Sequence, residues 1–333
     1  MSIVTTLGMF IIDENQYLDD NSKSPDLNIT GGAGTYCVIG SRIISPCSIS
    51  HLISGIVDKG SDFPSTIVEE LNSWQTGIIY RVDDSRLTTR GCNIYKDGIR
   101  SFTYVSPKLR LEVDDILKYD NLKTSKTYHL ICSIERCESI INKILLFNPG
   151  AIFIYEPLPD DCKFENLEKL KKLLPLIEIF SPNLDEAIEL TNKNELGEIS
   201  EEFRKYLKIK GSGVIIRCGK DGCYIKTKTG DKFSLPAYHQ DQKHVIDVTG
   251  GGNSFCGGFI MGYYLSNRNW LVGGICGNIA SGCIIEKLGM PKVEENKFNG
   301  LSFKQRLNKY LDDNKEIDEK IEIKKDFSWI EEE

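Results

Sequence analysis

Short apolar runs recur along this chain at intervals long enough to hold a helix, and no other feature restricts its fold as strongly. After the N-terminal run IVTTLGMFII come TGIIYRV near 77–82, YHLIC (128–132), AIFIYEP (151–157), IEIFSP (177–182) and GVIIRC (213–218). Between them lie segments of helical period: TYCVIGSRII, CESIINKILLF, 164–174 and 184–209. Runs this apolar, joined through helices, predict a parallel sheet covered by helices on both faces. Ligand sites in such folds gather at the carboxyl ends of the strands. With 333 residues, 40% of them hydrophobic, the chain can bury a substantial core as one large α/β domain or as two domains.

Two stretches break the rhythm. Asn15–Thr30 is polar, and 86–107 reads as a hairpin, LTTRGCNIY and IRSFTYV joined by a turn at Lys96-Asp97-Gly98. A hairpin has no place in a parallel sheet except at its edge, so it reads as a lid over the site or as a plain surface hairpin. Beyond Lys315 the charge-dense DEKIEIKKDFSWIEEE reads as a solvated helix or a partly ordered tail, with Trp329 and Ile330 available to anchor it.

The formal charge of −7 argues against a dedicated nucleic-acid binder. The eleven cysteines include no C-x-x-C pair, and none of the four histidines stands three or four residues from another, so the pattern points to buried reduced thiols and not to zinc or disulfides. The N-terminus lacks a charged leader region, and the least charged stretch, Asn269–Ile285, falls short of the roughly 20 apolar residues of a membrane span. The expectation is a cytoplasmic protein without a membrane anchor.

The strongest local signal is HVIDVTGGGNSFCGGFIMGYYL (244–265), read as an apolar strand ending at Asp247, a turn of Gly250, Gly251 and Gly252, and a helix from Ser254. A glycine turn at a helix N-terminus presents unpaired amides at the positive end of the helix dipole and so forms an anion site. It is not a Walker A loop, which needs G-x-x-x-x-G-K-[ST]. Gly257, Gly258 and Gly262 within the helix read as positions of close backbone packing. Asn183 and Glu186 in FSPNLDEAIEL have the spacing of a capping box, and also that of an amide near phosphate and a carboxylate near Mg²⁺-bound water. Gly31, Gly32 and Gly34 precede a helix but do not complete a dinucleotide fingerprint, because position 37 is Cys.

Taken in order, these segments resemble the ribokinase/PfkB family of carbohydrate kinases over about residues 3–295. The family's D-T-x-G-A-G-D-x-F signature stands here as Asp247-Val248-Thr249-Gly250-Gly251-Gly252-Asn253-Ser254-Phe255, and its N-terminal Gly-Gly element as Gly31-Gly32 with Gly34. Its N-x-x-E motif matches Asn183 and Glu186, and its T-L-G-x-x-G nucleotide strand matches Arg217 through Gly222. WQTGIIYRVDD, YHLICSIERC, YEPLPDDC and the GGGN form of the signature resemble a narrower branch, the fungal maintenance-of-killer PfkB-like proteins.

The resemblance implies a ribokinase-like three-layer α/β/α sandwich over 1–312, a small β lid from about 14–30 and 86–107, and a charged tail, 313–333. It implies MgATP, with Gly250–Asn253 holding the transferred phosphate and Asn183, Gly219, Gly222, Thr249 and Asn278 around the nucleotide. Glu186 would support Mg²⁺, and Asp247 would orient the loop and bind the monovalent cation (K⁺) that some members use. Asp13, Gly31, Gly32 and Tyr36 would bind a sugar or nucleoside, and a homodimer through the lid is open. Three positions depart from the family. Its catalytic aspartate is Asn253, which can orient a hydroxyl but cannot take its proton. Its sugar-binding Asn is Tyr36. The threonine of its nucleotide strand is Arg217, placed to pair with phosphate or with Asp221. A kinase, a nucleotide-binding pseudokinase acting through partners, and a structural factor needing no nucleotide all stay open.

Overall fold

The computed structural model describes residues 1–19, 22–97 and 99–332. In chain order the strands relevant to the site are β1 (Val4–Thr6), β2 (Ile11–Tyr17), β3 (Asp26–Gly31), β4 (Ile53–Ser54), β5 (Ile56–Lys59), β6 (Ile79–Val82) and β7 (Arg90–Lys96). They continue with β8 (Ile99–Tyr104), β9 (Thr127–Cys132), β10 (Ile152–Pro157), β11 (Ile179–Phe180), β12 (Gly213–Arg217), β13 (Cys223–Thr227) and β14 (Lys232–Leu235). The main sheet runs β14-β13-β12-β11-β10-β9-β1-β4. From β4 to β12 all neighbours are parallel, and β13 and β14 close the far edge as an antiparallel hairpin.

Alternation along the strands divides the core into two apolar layers. Ile152, Ile154 and Ile215 join the cluster under the Ala33–Ile44, Gly251–Leu265 and Trp270–Ile284 helices. Phe153, Tyr155, Val214 and Ile216 join the opposite cluster, under the helices Ile134–Phe147, Leu167–Leu173, Leu184–Thr191 and Leu196–Arg204. Every residue of β10 is buried, as expected of a central strand covered on both faces. The architecture is the expected three-layer α/β/α sandwich.

The same alternation has a consequence for polar residues. Thr6, His129, Glu156 and Arg217 share the parity of Val4, Ile154 and Ile215, so all four lie on the side of the Gly251–Leu265 helix. That helix packs closely on its neighbours: a Cβ at Gly257 would stand 2.1 Å from the carbonyl oxygen of Cys37.

Four expectations are corrected. The N-terminal run is two strands: the chain leaves the main sheet at Gly8, whose backbone packs on Gly34, and continues as β2 of the lid, so Asp13 is a lid residue. The run near 77–82 does not enter the main sheet; β6 pairs in parallel with β5 in a separate two-stranded sheet, because the chain has already left the main sheet at Gly55. No strand precedes the glycine turn: Gln242–His244 is a 3₁₀ turn, and Ile246 and Asp247 donate to the Ile285 carbonyl instead of a strand. The tail is not solvated throughout, since Phe327, Trp329 and Ile330 are buried and Trp329 Nε1 donates to the Ile44 carbonyl at 3.2 Å.

The lid is a four-stranded sheet, β3-β2-β7-β8, in which β7 pairs parallel to β2 and antiparallel to β8. Lys96 faces Ile99 across the β7–β8 turn and Asp97 has φ 54°, a left-handed value suited to a two-residue turn. Gly98 of that expected turn lies outside the described residues.

Candidate active site

The glycine turn sits beyond the carboxyl ends of the parallel strands. Gly250, with φ 76°, caps the Gly251–Leu265 helix, and the Tyr36 ring lies against it so closely that a Cβ there would stand 2.2 Å from the ring. No other residue type combines that backbone with that contact. The amides of Gly252 and Asn253 belong to the first turn, where a helix offers them no carbonyl. Asp247 Oδ1 accepts from the Thr249 amide at 3.0 Å and so shapes the turn.

Under the turn lies a buried polar chain of which the sequence pointed to Asn253, Arg217 and Glu186 but not to Glu156, His129 or Thr6. Asn253 Nδ2 donates to Glu156 Oε2 at 3.0 Å. The other oxygen of Glu156 pairs with His129 Nε2 at 2.7 Å, and His129 Nδ1 lies 2.9 Å from Thr6 Oγ1. Arg217 Nη1 stands 3.2 Å from Glu156 Oε2, its Nη2 stands 3.7 Å from Glu186 Oε2, and Nη2 also donates to the Ser181 carbonyl at 3.0 Å. A Cβ on Gly252 would lie 2.1 Å from Arg217 Nη1, so the guanidinium abuts the anion turn directly. Arg217 therefore pairs with Glu156 and Glu186; the ion pair of Asp221 is with Lys220, at 3.8 Å.

Charge is balanced inside this chain. Burial works against a charged His129, but Cys37 and Glu156 beside it more than offset this and push its pKa up to about 10, which favours the protonated ring. Burial likewise works against an ionised Glu156, yet Arg217 and His129 hold its carboxyl below the usual carboxylate value. Glu186 is pushed up by burial, which Arg217 and the Asn183 amide only partly oppose.

Asn183 and Glu186 form the capping box in full: Asn183 Oδ1 accepts from the Glu186 amide and Glu186 Oε2 accepts from the Asn183 amide, each at 2.8 Å. Glu186 Oε2 is thus engaged by a backbone amide and faces a guanidinium. Among the described residues no three His, Cys, Asp or Glu side chains are grouped to hold a metal ion. Arg217 occupies the space between Glu156 and Glu186, and Glu186 Oε2 is taken up by the Asn183 amide. Asp247, the expected monovalent-cation ligand, uses Oδ1 within its own loop.

One cavity is lined by the turn itself and a second lies under the lid. The first, of about 160 Å³, is lined by Gly219, Val248, Gly251, Gly252, Asn278 and Ser281 among others, and so brings together four of the expected phosphate and nucleotide residues. Asn278 also donates to Tyr310 Oη at 3.4 Å. Gly222, Asn183 and Thr249 do not line it. Gly222 instead takes the tight turn between β12 and β13 at φ 86°, where a Cβ would lie 2.0 Å from the Leu235 carbonyl oxygen. The second cavity, about 210 Å³, opens between the lid and the ends of β1 and β9. Asp13 and Gly31 meet beside it, where a Cβ on Gly31 would fall 2.0 Å from Asp13 Oδ2, and Gly32 caps the Ala33–Ile44 helix at φ 93°. None of Asp13, Gly31, Gly32 and Tyr36 lines this cavity; Tyr36 turns to Gly250 instead.

His129 and Glu156 were missed because YHLIC and AIFIYEP read simply as buried strands. The available signal was an ionisable residue within each apolar run, since buried charges need partners. All eleven cysteines are free thiols, and Cys276 lies against Gly262 between two helices, away from the nucleotide-side cavity. No described helix is long and apolar enough to cross a membrane.

Residues 82–291 match the family model described as pfkB family carbohydrate kinase. The chain is 37% identical to Protein MAK32 of Saccharomyces cerevisiae, covering 93% of this chain and 92% of that protein. It is 34% identical to an uncharacterized protein of Schizosaccharomyces pombe, with 92% of each covered. Among solved structures it is similar to Anopheles gambiae adenosine kinase in complex with P1,P4-di(adenosine-5) tetraphosphate, with a TM-score of 0.70 and 19% identity over 86% of this chain and 96% of that one. It is equally similar to an Escherichia coli putative ribokinase II in complex with ATP and Mg²⁺, with a TM-score of 0.70 and 15% identity over 94% of this chain and 100% of that one. These likenesses agree with the ribokinase-like fold already described, and the match to the family model covers more than half of the chain. The chain belongs to the pfkB family of carbohydrate kinases.

Proposed function

We propose that this protein is a nucleotide-binding member of its family in which phosphoryl transfer to a sugar or nucleoside hydroxyl is crippled: an ATP-binding pseudokinase that acts through partners. The observation that carries this reading is the hydrogen bond from Asn253 Nδ2 to Glu156 Oε2. The amide is committed as a donor, and its remaining oxygen can orient a hydroxyl but cannot accept its proton. Glu156 does not replace the missing base, because His129 and Arg217 hold it ionised and weakly basic. Loss of a positioned base costs about 10²–10⁴-fold in rate. The turn of Gly250–Asn253 and the cavity beside Asn278 support retention of ATP, in keeping with the ATP complex of the similar ribokinase II.

In this reading the phosphates rest on the amides of the glycine turn, with Arg217 abutting Gly252 beneath it. The second, kinase reading is favoured by the separate cavity under the lid, since a protein that only binds nucleotide has no need of an acceptor site. Exposed Phe102 and Val105 at the lid's outer edge support pairing with a second copy there, and the free thiols agree with a cytoplasmic setting.

Calorimetry with ATP, once with Mg²⁺ and once with EDTA, followed by γ-phosphate transfer to a panel of sugars and nucleosides, tests the reading. Binding under both conditions with little or no transfer is expected. Absence of ATP binding would overturn it, and brisk transfer by the unaltered protein would establish the kinase reading instead. Arg217→Ala should weaken ATP binding about 10–100-fold, the worth of one charge-assisted hydrogen bond.

A further inference from the structure

Cys132 and Cys137 meet at the entrance of a helix. Ser133 caps the Ile134–Phe147 helix, its Oγ accepting from the Arg136 amide at 3.4 Å. Counted from that cap, Cys132 is the residue before it and Cys137 the fourth residue of the helix. Side chains at those two positions pack on each other where a chain enters a helix, and the pair is usually apolar. Here it is two thiols. The Cys137 thiol faces the Cys132 sulfur closely enough to donate to it. Both belong to the apolar layer under this helix, and neither is in a disulfide.

The two sulfurs differ in access. Cys137 is fully buried, whereas Cys132 ends β9 and lines the 210 Å³ cavity under the lid. At roughly 10–15 Å³ per water, that space readily admits a reagent of two heavy atoms. Every charged side chain on the cavity wall is a cation: Lys108, Arg110 and Arg136. Two acids stand nearby. Asp161 accepts from the Ile134 amide at 2.8 Å, and Glu112, more than half exposed, lies 3.1 Å from Arg136 Nη2.

Cationic surroundings at a helix N-terminus favour the thiolate, which is the reactive form of cysteine. In keeping with this, the Cys137 thiol, Arg136 and His129 hold Cys132 below the ordinary thiol value although burial opposes them. Burial pushes Cys137 well up, as it does Cys162 and Cys276. A reachable thiolate backed by a protonated thiol has the arrangement of an attacking and a resolving cysteine.

We propose that Cys132 and Cys137 form a peroxide-reactive thiol pair, oxidised through the lid cavity to an intramolecular disulfide. The Cys132 thiolate attacks one oxygen of hydrogen peroxide, the O–O bond breaks and hydroxide leaves, giving a sulfenic acid. The Cys137 sulfur then attacks the Cys132 sulfur: an S–S bond forms, the S–O bond breaks, and the departing hydroxide takes the Cys137 proton. In sum the two thiols lose two electrons and two protons, and the peroxide becomes two waters. The new bond ties the end of β9 to the start of the helix, in the wall of the lid cavity, and a dithiol reductant reverses it by exchange. This inference needs neither ATP binding nor phosphate transfer.

The test treats the reduced full-length protein with hydrogen peroxide, blocks the remaining thiols with iodoacetamide and digests it with trypsin without reduction. Trypsin cuts after Lys126, Arg136 and Lys143, so the two cysteines fall on separate peptides, 127–136 and 137–143. Mass spectrometry should find these peptides joined, two hydrogens lighter than their sum, and dithiothreitol should part them. Before oxidation, iodoacetamide should label Cys132 of the native protein at least about tenfold faster than Cys137, Cys162 or Cys276. Cys137→Ser should halt the reaction at the Cys132 sulfenic acid, which dimedone traps, and Cys132→Ser should leave Cys137 unoxidised. The digest of the unaltered protein decides the matter even where a serine variant fails to fold. Peptides that stay separate, a bond from Cys132 to Cys162, or a bond that forms only after unfolding in urea would overturn the proposal. So would a Cys132 that is alkylated no faster than the other buried thiols.

Discussion

Asn253 and Arg217 converge on one carboxylate oxygen, Glu156 Oε2. Restoring the family aspartate with Asn253→Asp places a second carboxylate within hydrogen-bonding reach of Glu156, and the two must share a proton or lean harder on Arg217 and His129. The variant should gain phosphate transfer by about 10²–10⁴-fold over the unaltered protein and lose thermal stability, which a transfer assay and a melting curve read independently. His129 makes a separate prediction. Its folded pKa, about 10, lies above the ordinary 6.5, so its contribution to stability is complete below about pH 6.5 and fades as the pH rises toward 10. Glu156 behaves oppositely: its carboxyl is held low, and its contribution is present above the ordinary carboxylate value and lost as the pH falls. Denaturant midpoints of the unaltered protein should decline between neutral pH and pH 10, and those of His129→Gln should lack that decline.

At the scale of elements, the segment after the glycine helices is anchored to the rest of the fold by an ion pair and by hydrogen bonds of Tyr310. Arg306, fully buried on the Phe303–Asp313 helix, grips both oxygens of Glu286 at 2.6 and 2.8 Å, and Asn299 and His239 complete the partners of that carboxylate. Although burial opposes its charge, His239 and Arg306 bring Glu286 down to about 2, so this pair stabilises the fold above about pH 4.5 and loses its effect as the pH falls toward 2. Glu286→Gln leaves Arg306 buried beside a neutral amide and should cost about 3–5 kcal/mol in denaturant unfolding, with a shallower acid limb. The lid follows another logic. Its central β2 pairs with β3 on one side and β7 on the other, so two stretches far apart in sequence become one sheet. The 86–107 hairpin was legible from its turn residue and its alternating arms. That β2 begins at Ile11, before the expected lid stretch at about 14–30, was hidden, because Leu7 and Met9 flank the breaking glycine and keep the run apolar throughout.

Over the whole molecule, the tail closes the layer that carries the glycine turn. Trp329, Phe327 and Ile330 join the same apolar cluster as the Ala33–Ile44 and Gly251–Leu265 helices. Trp329→Ala should destabilise the entire domain by about 3–5 kcal/mol in a single cooperative transition, measured by calorimetric melting. A tail that merely frays would leave the main transition where it is. The sequence by itself determined the α/β class, the layer alternation and the glycine turn, because each rests on local rules: a period of two along strands, a helix-length spacer, and a backbone at positive φ that only glycine adopts beside a packed ring. It determined the place of Asn253 in its motif, but not what Asn253 does. Glu156 lies 97 residues away along the chain, His129 another 27, and their meeting depends on β1, β9 and β10 being neighbours with Thr6, His129 and Ile154 in register. Strand order is a property of the packed sheet, so the balance of two cations and two acids beneath the turn, the guanidinium between the carboxylates and the cationic cavity under the lid were decided by tertiary structure alone.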